Sequence, residues 1–431
     1  MTVQMFKRRL LLQGAGLMAG MMASGIAWGQ FQVDILGVGA NQFPIAVQPF
    51  ENGSDCPENI SKIISDDLVR SGVFRLVDTG SIAGGIDAEP DWKTLASKGA
   101  DADVVGHIQK TADNRYEIKF KLFDVVKKQE TDQASYVCPA DDLRLTAHRI
   151  ADRIYERITG EKGDFATRIA FVRQDGRHVF NIMVADSDGH NPKVALKSRD
   201  PIMSIAWAPD GRRIAYTTFE TGKPTVWLQN LTTGKRHQVA AFRGNNSAPA
   251  FSPDGSTMAV ALSKDGGTKI YLLNPEGMNL RPFTEGDSID TEPTFSPDGK
   301  YIYFTSDRGG NPQIYRKPLA GGSVERVSFG NAYAVSPTVS PKNNEIAYIV
   351  RAGGNFQLVQ QDLSTGNVIP LSQLGKNESP SYSPNGNMII FATDEGGRGV
   401  LSTVSTDGSS RSRLSGLSGD IREPAWGPTI R

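Results

Sequence analysis

Cysteine and histidine are scarce in this sequence of 431 residues, which contains two cysteines and five histidines. The cysteines, Cys56 and Cys138, have no histidine beside them, so they do not complete the four-ligand shell of a structural zinc site. We therefore predict no metal site and no cofactor. In an oxidising compartment the two cysteines can form a disulfide, but pairing requires a close approach of their Cα atoms, which the sequence leaves open.

An excess of charge of either sign is also lacking. Lysine plus arginine and aspartate plus glutamate each number 47, so the formal net charge is zero. Proteins that bind nucleic acid or anionic lipid usually carry a basic excess. The composition therefore argues against a nucleic-acid partner.

The sequence has one long apolar run, and it lies at the start of the chain. Lys7, Arg8 and Arg9 precede apolar residues 10–26, and small residues follow at positions 27 and 29. This pattern predicts a signal peptide over residues 1–29 with cleavage before Gln30. A membrane anchor is the alternative, but the run is rich in glycine and barely long enough to span a bilayer. Both the general secretory route and the twin-arginine route remain open, and no later segment resembles a membrane span.

Sequence signals of a catalytic site are absent as well. No Gly-x-Ser-x-Gly elbow of the serine hydrolases occurs. The adjacent Asp and Gly of several turns differ from the sialidase turn, which has a residue between them, so we expect these aspartates to have a structural role. The histidines fall in the N-terminal region or in outer turns, where we expect packed or solvated side chains: His107, His148, His178, His190 and His237.

A repeat dominates the second part of the sequence. A motif of the form aromatic-Ser-Pro-Asp-Gly recurs, altered in several copies, with its proline at positions 209, 253, 297, 341, 384 and 428, so the gaps are 43 or 44 residues. The first five copies are each followed by short apolar runs separated by glycine turns. Repeats of about 40–45 residues with four short strands are typical of the blades of a β-propeller.

The ends of the repeat array predict how the propeller closes. Residues 168–172 resemble a second strand without a first, and residues 423–428 resemble a first strand without a second. Pairing of the two would complete one blade and remove the exposed sheet edges. Residues 168–431 number 264, which is six times 44, so we predict a six-bladed propeller within residues 164–431.

Residues 30–163 have a different pattern, in which helical and strand periods alternate. Strands are predicted at 44–50, 74–77, 103–108 and 116–126, and helices near 60–70, 91–97 and 143–159. This alternation predicts an α/β domain with a small mixed sheet. Residues 30–35 alternate polar and apolar side chains before a glycine-bearing stretch, which favours either a mobile N-terminal arm or an ordinary edge strand.

A polar segment ending in proline precedes the first strand of each repeat, at residues 200–201, 245–249, 290–293, 334–337, 377–380 and 421–424. If the Pro-Asp-Gly strand is innermost, these segments meet at one mouth of the channel. Loops on a rigid scaffold often carry binding residues. The alternative is that each proline merely ends a sheet edge and the polar residues face water.

Together these features resemble the TolB family. The resemblance rests on the order of signal peptide, α/β domain and six repeats, and on the motifs at residues 44–50, 248–255, 291–295, 405–408 and 424–426. It implies a non-enzymatic periplasmic component of the Tol–Pal system, which serves outer-membrane integrity and constriction during cell division. The implied partners are the lipoprotein Pal at the channel mouth, TolA at the mature N-terminus, and further outer-membrane proteins.

The resemblance also implies contact residues. Those facing Pal are Asn245, Asn246, Ala248, Thr291 and Glu292, and those facing TolA are Gln30, Phe31, Gln32, Val33, Asp34 and Ile35. The family often has a basic or imidazole side chain where Asn245 stands, so this chain departs from the pattern there.

An enzyme is the alternative function. An exported propeller hydrolase or lyase would use carboxylates around the mouth, and Glu292, Glu378 and Glu423 are the candidates. Catalytic carboxylates grouped in this way would have raised, coupled pKa values, whereas a docking surface would titrate normally.

Overall fold

The structure is a computed structural model and describes residues 42–53, 56–80, 85–342, 344–414 and 417–429. The predicted signal peptide and the predicted TolA-binding residues 30–35 lie outside this range. Within it, every helix is too short or too polar to traverse a lipid bilayer.

An α/β unit with a mixed five-stranded sheet comes first. Its strands are β1 (Phe43–Val47), β2 (Phe74–Leu76), β3 (Ala102–Lys110), β4 (Tyr116–Asp124) and β5 (Gln129–Cys138), and its helices are α1 (Ile60–Arg70), α2 (Trp92–Lys98) and α3 (Leu143–Thr159). The strand order is β2-β1-β3-β4-β5, in which β1 is parallel to β2 and β3 while the remaining pairs are antiparallel. Helices α1 and α3 share one apolar core with the sheet.

Capping residues define the ends of the helices. The side chain of Asn59 accepts a hydrogen bond from the amide of Lys62 at the start of α1, and Asp91 does the same for Thr94 in α2. Helix α3 ends at Gly160, whose φ of 77° is readily adopted only by glycine.

Strand β5 was not predicted, because its sequence is polar and its alternation is weak. Only Cys138 is buried among its ten residues. The strand lies at the edge of the sheet and pairs with β4 alone. An edge strand needs little apolar surface of its own, since its backbone hydrogen bonds to one neighbour hold it.

Six four-stranded antiparallel sheets follow and form the predicted propeller. Blade 1 contains β6 (Arg168–Gly176), β7 (Val179–Asp186) and β8 (Lys193–Ser198), and blade 2 contains β9 (Ile202–Trp207), β10 (Arg213–Thr218), β11 (Thr225–Asn230) and β12 (Arg236–Ala240). Blade 3 contains β13 (Asn246–Phe251), β14 (Met258–Leu262), β15 (Lys269–Leu273) and β16 (Arg281–Pro282).

The remaining blades repeat this plan. Blade 4 contains β17 (Asp290–Phe295), β18 (Tyr301–Ser306), β19 (Gln313–Pro318) and β20 (Glu325–Arg326). Blade 5 contains β21 (Ala334–Val339), β22 (Glu345–Ala352), β23 (Asn355–Asp362) and β24 (Val368–Pro370), and blade 6 contains β25 (Glu378–Tyr382), β26 (Met388–Glu395), β27 (Arg398–Ser405) and β28 (Arg411–Arg413).

The last strand, β29 (Asp420–Trp426), completes blade 1. It pairs antiparallel with β6, so that Asp420 lies opposite Gln174 and Trp426 opposite Ile169. The indole of Trp426 also donates a 2.8 Å hydrogen bond to the hydroxyl of Thr167. The predicted closure by pairing of the two ends is therefore confirmed.

The first strand of each blade is innermost, because these strands adjoin one another around the ring. At its end lies the Pro-Asp-Gly turn, where the aspartate has the structural role that we expected. The carboxylate of Asp210 accepts the amide of Arg212 at 2.8 Å, and that of Asp298 accepts the amide of Lys300 at 3.1 Å.

The α/β unit contacts the propeller at the end where the first strands finish. Asn385, in the turn after β25, donates to the carbonyl of Lys162, and Asn387 donates to the hydroxyl of Tyr155 at 3.2 Å. The segments that precede the first strands therefore lie at the opposite end of the channel, away from the α/β unit.

Candidate partner-binding site at the channel mouth

Six non-glycine residues with left-handed backbone form a ring around the channel. Their φ angles lie between 49° and 55°, and each is the third residue from the start of its inner strand or close to it: Ser204, Ala248, Glu292, Ser336, Ser379 and Glu423. The inner strands change register at these positions. Positive φ is uncommon outside glycine, and bulges of this kind redirect side chains near functional sites.

A buried proline follows the ring residue in five of the six blades, at positions 249, 293, 337, 380 and 424. These are the prolines of the polar segments, and the structure places them inside the inner strands, each of which is an edge strand of its sheet. Blade 2 is the exception, because Ile205 follows Ser204. Pro201 lies directly before β9, as the sequence predicted for all six prolines, whereas the prediction was wrong for the other five, which lie within their strands.

The ring residues and their neighbours line a cavity of about 310 Å³ in the channel. All six blades contribute to its wall. Five of the six predicted segments therefore meet at one mouth, and blade 2 contributes residues 204–207 instead of the predicted segment 200–201.

The carboxylate of Glu292 connects two blades. It accepts hydrogen bonds from the amide of Ser336 at 2.8 Å and from the hydroxyl of Ser336 at 2.9 Å. The hydroxyl of Thr305, on the neighbouring strand β18, donates to it at 2.7 Å. Glu292 thus fixes the backbone of the next ring residue and is itself held in one orientation.

Glu423 makes the same connection from blade 1 to blade 2, since it accepts the amide of Ser204 at 3.0 Å. Burial and the nearby carboxylates of Glu378 and Glu292 raise the pKa of Glu423 to about 7. Glu378 instead pairs with Arg422 at 3.1 Å. The three carboxylates therefore have separate structural partners, although Glu423 has the raised pKa that we expected of a catalytic group.

Asn245 and Asn246 are adjacent in sequence but differ in exposure. Asn245 is half-buried, and its side chain donates to the hydroxyl of Ser247 at 2.8 Å. Asn246 is fully buried. Its amide nitrogen donates to the carbonyls of Pro224, Phe242 and Gly244, and its oxygen accepts the amide of Phe242. Asn246 therefore holds the loop before β13, whereas Asn245 is accessible to a partner.

Ala248 and Thr291 also differ. Ala248 is 8% exposed and packs in the apolar cluster between blades 3 and 4. Thr291 is half-buried and lies beside Glu292 at the mouth. Of the predicted Pal-facing residues, Asn245, Thr291 and Glu292 are thus the ones that a partner can reach directly.

The two cysteines belong to the core of the α/β unit. Both are free thiols in the structure, Cys138 buried and Cys56 half-buried. Burial raises the pKa of both thiols. Their pairing stays a prediction.

A second cavity lies between the α/β unit and blade 6. Its volume is about 660 Å³, and its wall includes Gln42, Gly72, Tyr155, Asp407 and Ser409. Gln42, the first described residue, donates to the carbonyl of Gly72 at 3.0 Å. The chain thus enters the described part of the molecule at this cleft.

The fold defines a β-propeller protein with an appended α/β unit. Residues 155–430 match the family of the TolB beta propeller domain, and residues 31–131 match that of the TolB amino-terminal domain. The chain belongs to the TolB family.

Relatives with the name Tol-Pal system protein TolB match over almost the whole chain. That of Albidiferax ferrireducens is 56% identical and covers 99% of both chains, and that of Polaromonas naphthalenivorans is 55% identical and covers 96% of both. A crystal structure of TolB from Acinetobacter baumannii superposes with a TM-score of 0.84 at 38% identity, covering 93% of this chain and all of the other. This membership makes the chain a non-enzymatic component of the Tol–Pal system and overrides the hydrolase or lyase alternative.

Proposed function

We propose that the protein is a periplasmic scaffold that binds the lipoprotein Pal at the channel mouth and TolA through residues 30–35. In this role it would link the energised inner membrane to the outer membrane, maintain outer-membrane integrity and assist constriction during division. The observation that carries the proposal is the ring of left-handed bulges at the mouth. Residues in sparsely populated backbone regions cluster at binding sites, where they fix side chains before a partner arrives.

The geometry of Glu292 supports a preorganised docking surface. Its carboxylate has three hydrogen bonds from Thr305 and Ser336, so little side-chain entropy remains to be lost on binding. Thr291 precedes it in the same strand, and the side chains of Thr291 and Asn245 are both half-buried. A folded domain that fits the mouth would contact several blades at once.

Calorimetric titration of residues 30–431 with the soluble domain of Pal tests this proposal. We expect binding by the parent protein and a loss of at least about tenfold in Thr291→Arg and Asn245→Arg. The matched control is Met278→Arg, because Met278 is 59% exposed in a hairpin at the opposite end of the channel. Unaltered binding by both mouth variants would exclude the mouth as the Pal site, and no binding by the parent would remove the Pal proposal itself.

The cleft beside Gln42 supports a second part of the proposal. Gln42, where the described part of the chain begins, lines this cleft. The proposal is that the preceding arm either rests on the protein's own surface or extends towards TolA. Pal bound at the other end of the propeller would bias that choice if its contacts differ between the two states. We expect hydrogen exchange across residues 30–40 to change when Pal is added, and equal exchange with and without Pal would refute the coupling.

A further inference from the structure

Charged side chains are buried where the α/β unit meets blade 1. The guanidinium of Arg70, on α1, donates to the carbonyl of Ser187 at 2.9 Å, and Ser187 lies in the turn after β7. Arg70 also forms a 2.7 Å ion pair with Asp67, one turn earlier on the same helix. Both side chains are at most 5% exposed.

Helix α3 contributes a second arginine to the same turn. Arg144 pairs with Asp186 at 3.1 Å and with Asp188 at 2.5 Å, and it lies 3.7 Å from Glu58. The two arginines thus both bind the turn at residues 186–190. These ion pairs, with the hydrogen bonds of Arg70, join the α/β unit to the propeller.

His148 lies at the centre of this cluster. Its Nδ1 is 2.6 Å from a carboxylate oxygen of Asp67, and both side chains are 1% exposed. Its Nε2 is buried without a hydrogen-bond partner and lies 3.9 Å from Asp188. A protonated imidazole places positive charge between two carboxylates from different parts of the molecule, whereas a neutral one leaves them facing each other.

The charges around His148 favour its protonated form. The carboxylates of Asp67, Asp186, Asp188 and Glu58 outnumber the two arginines, and His190 pairs with Asp188 from the exposed side at 3.2 Å. Burial lowers the pKa of His148, but the carboxylates of Asp67, Asp188 and Asp186 outweigh it and leave the pKa above its usual value. Asp152 and Asp164 are two further buried acids near the cluster. Burial raises the pKa of Asp152 to about 7 and also raises the pKa of Asp164.

A metal ion is the competing explanation for this arrangement. Ligand atoms of Asp67, His148 and Asp188 lie within 4.8 Å of one another. However, Arg70 already neutralises Asp67 and Arg144 already neutralises Asp188. The two fixed guanidinium groups repel a divalent ion twice as strongly as the single charge of a protonated imidazole. The proton on His148 is therefore the better candidate for the further positive charge.

We propose that Asp67, His148 and Asp188 form a protonation-dependent clamp that holds the α/β unit against blade 1 and loosens as pH rises. The clamp goes beyond partner binding, because it would set how firmly the two units are joined. His148 is the group that titrates, and the two arginines keep their charge throughout.

The direction of the pH dependence follows because the pKa of His148 is higher in the folded protein than in an unfolded chain. The stabilisation by His148 is fully present below about pH 6.5, the usual pKa of an imidazole in an unfolded chain. It is lost as the pH rises through the raised pKa of the folded protein. Asp152 acts in the same direction at lower pH, since its raised pKa removes stability between about 4 and 7. The clamp is therefore expected to be weaker at pH 9 than at pH 6.

Two measurements on residues 30–431 test the clamp. The first is an NMR titration of the His148 imidazole between pH 5 and 10, assigned with His148→Gln. The second is differential scanning calorimetry at pH 6 and 9, which reports whether the α/β unit and the propeller melt together. The control is His107→Gln, because His107 lies in the α/β unit and contacts Asn52 instead of the propeller.

We expect His148 to stay protonated at pH 7 and lose its proton at higher pH. The parent should melt in one transition at pH 6, and at pH 9 the α/β unit should melt separately, at least about 3 °C earlier. His148→Gln should show the separated transitions already at pH 6, and His107→Gln should behave as the parent. If His148 is neutral at pH 7 in the parent, or if the parent melts in the same way at pH 6 and 9, the proposal is overturned, even if the variant fails to fold.

Discussion

Glu292 holds Ser336, the residue at the same position of the next blade, through both its amide and its hydroxyl, at 2.8 and 2.9 Å. Two ring residues 44 positions apart are thus joined by one carboxylate. Glu423 repeats the contact with Ser204 across the closing blade. At these two junctions the carboxylate of one bulge therefore holds the backbone of the bulge in the next blade.

Glu292→Ala should destabilise the propeller and weaken Pal binding. It removes the acceptor for three donors and leaves the amide of Ser336 without its partner, which costs about 1–3 kcal/mol. Urea unfolding checks the stability and calorimetric titration checks the binding. Glu285→Ala is the control, since Glu285 is exposed in the loop before β17. Equal stability of the two variants would contradict the bracing role.

Glu423→Gln should change the pH dependence of stability. Because the pKa of Glu423 is raised to about 7, the parent loses stability from this group as pH rises from about 4.5 to 7. The neutral amide keeps an acceptor for Ser204 and has no such loss. We expect the variant to gain about 1–2 kcal/mol over the parent at pH 8 relative to pH 5, a value reduced from the full shift because the side chain is only half-buried.

Urea unfolding at the two pH values measures this difference. Glu276→Gln, at an exposed position in the hairpin at the other end of the channel, is the control and should follow the parent. A Glu423→Gln variant that also follows the parent would show that Glu423 is ionised in the folded protein at neutral pH.

Trp426→Ala should destabilise the ring closure by about 3–5 kcal/mol, the usual cost of removing a buried aromatic side chain. Trp426 is 8% exposed and joins the last strand to the start of blade 1 through Thr167. Trp426→Phe, which keeps most of the packing and loses the hydrogen bond, should cost less. Thermal unfolding followed by circular dichroism measures both, and a negligible effect of the alanine variant would contradict the importance of closure.

Asn246→Ala and Asn245→Ala should affect different properties. Asn246→Ala removes four hydrogen bonds of a fully buried side chain and should cost about 2–3 kcal/mol of stability. Asn245→Ala should leave stability within about 0.5 kcal/mol of the parent and reduce Pal affinity. Chemical denaturation and Pal titration of both variants separate the two roles. Loss of affinity in Asn246→Ala without loss of stability would instead make it a contact residue.

Much of the fold could be predicted because local physical signals recur in the sequence. The repeated Pro-Asp-Gly turns predicted six blades. The incomplete repeats at residues 168–172 and 423–428 predicted that the two ends of the array pair and close the ring. Helical periods indicated the three helices of the α/β unit. Strand β5 was not predicted, because an edge strand with a polar sequence has no strong period. Five of the segment prolines were placed before the inner strands instead of within them, because the bulges that accommodate them depend on the backbone conformation.

The candidate site was predictable only in outline. The recurring polar segments placed the mouth, but whether Asn245 or Asn246 faces outward depends on the bulge, which alters the alternation of the strand. The left-handed ring has one sequence signal, a residue before a proline at intervals of 43 or 44, and Ser204 lacks it.

The sequence by itself determined the number of blades, the place of closure and the family, because these depend on repeated local patterns that survive without knowledge of the packing. Only the tertiary structure decided which charged groups meet. His148 follows Asp67 by 81 residues and precedes Asp188 by 40. From the sequence we expected it to be an ordinary packed or solvated histidine. Docking of the α/β unit on blade 1 brings them together, and exclusion of water there makes their interaction strong.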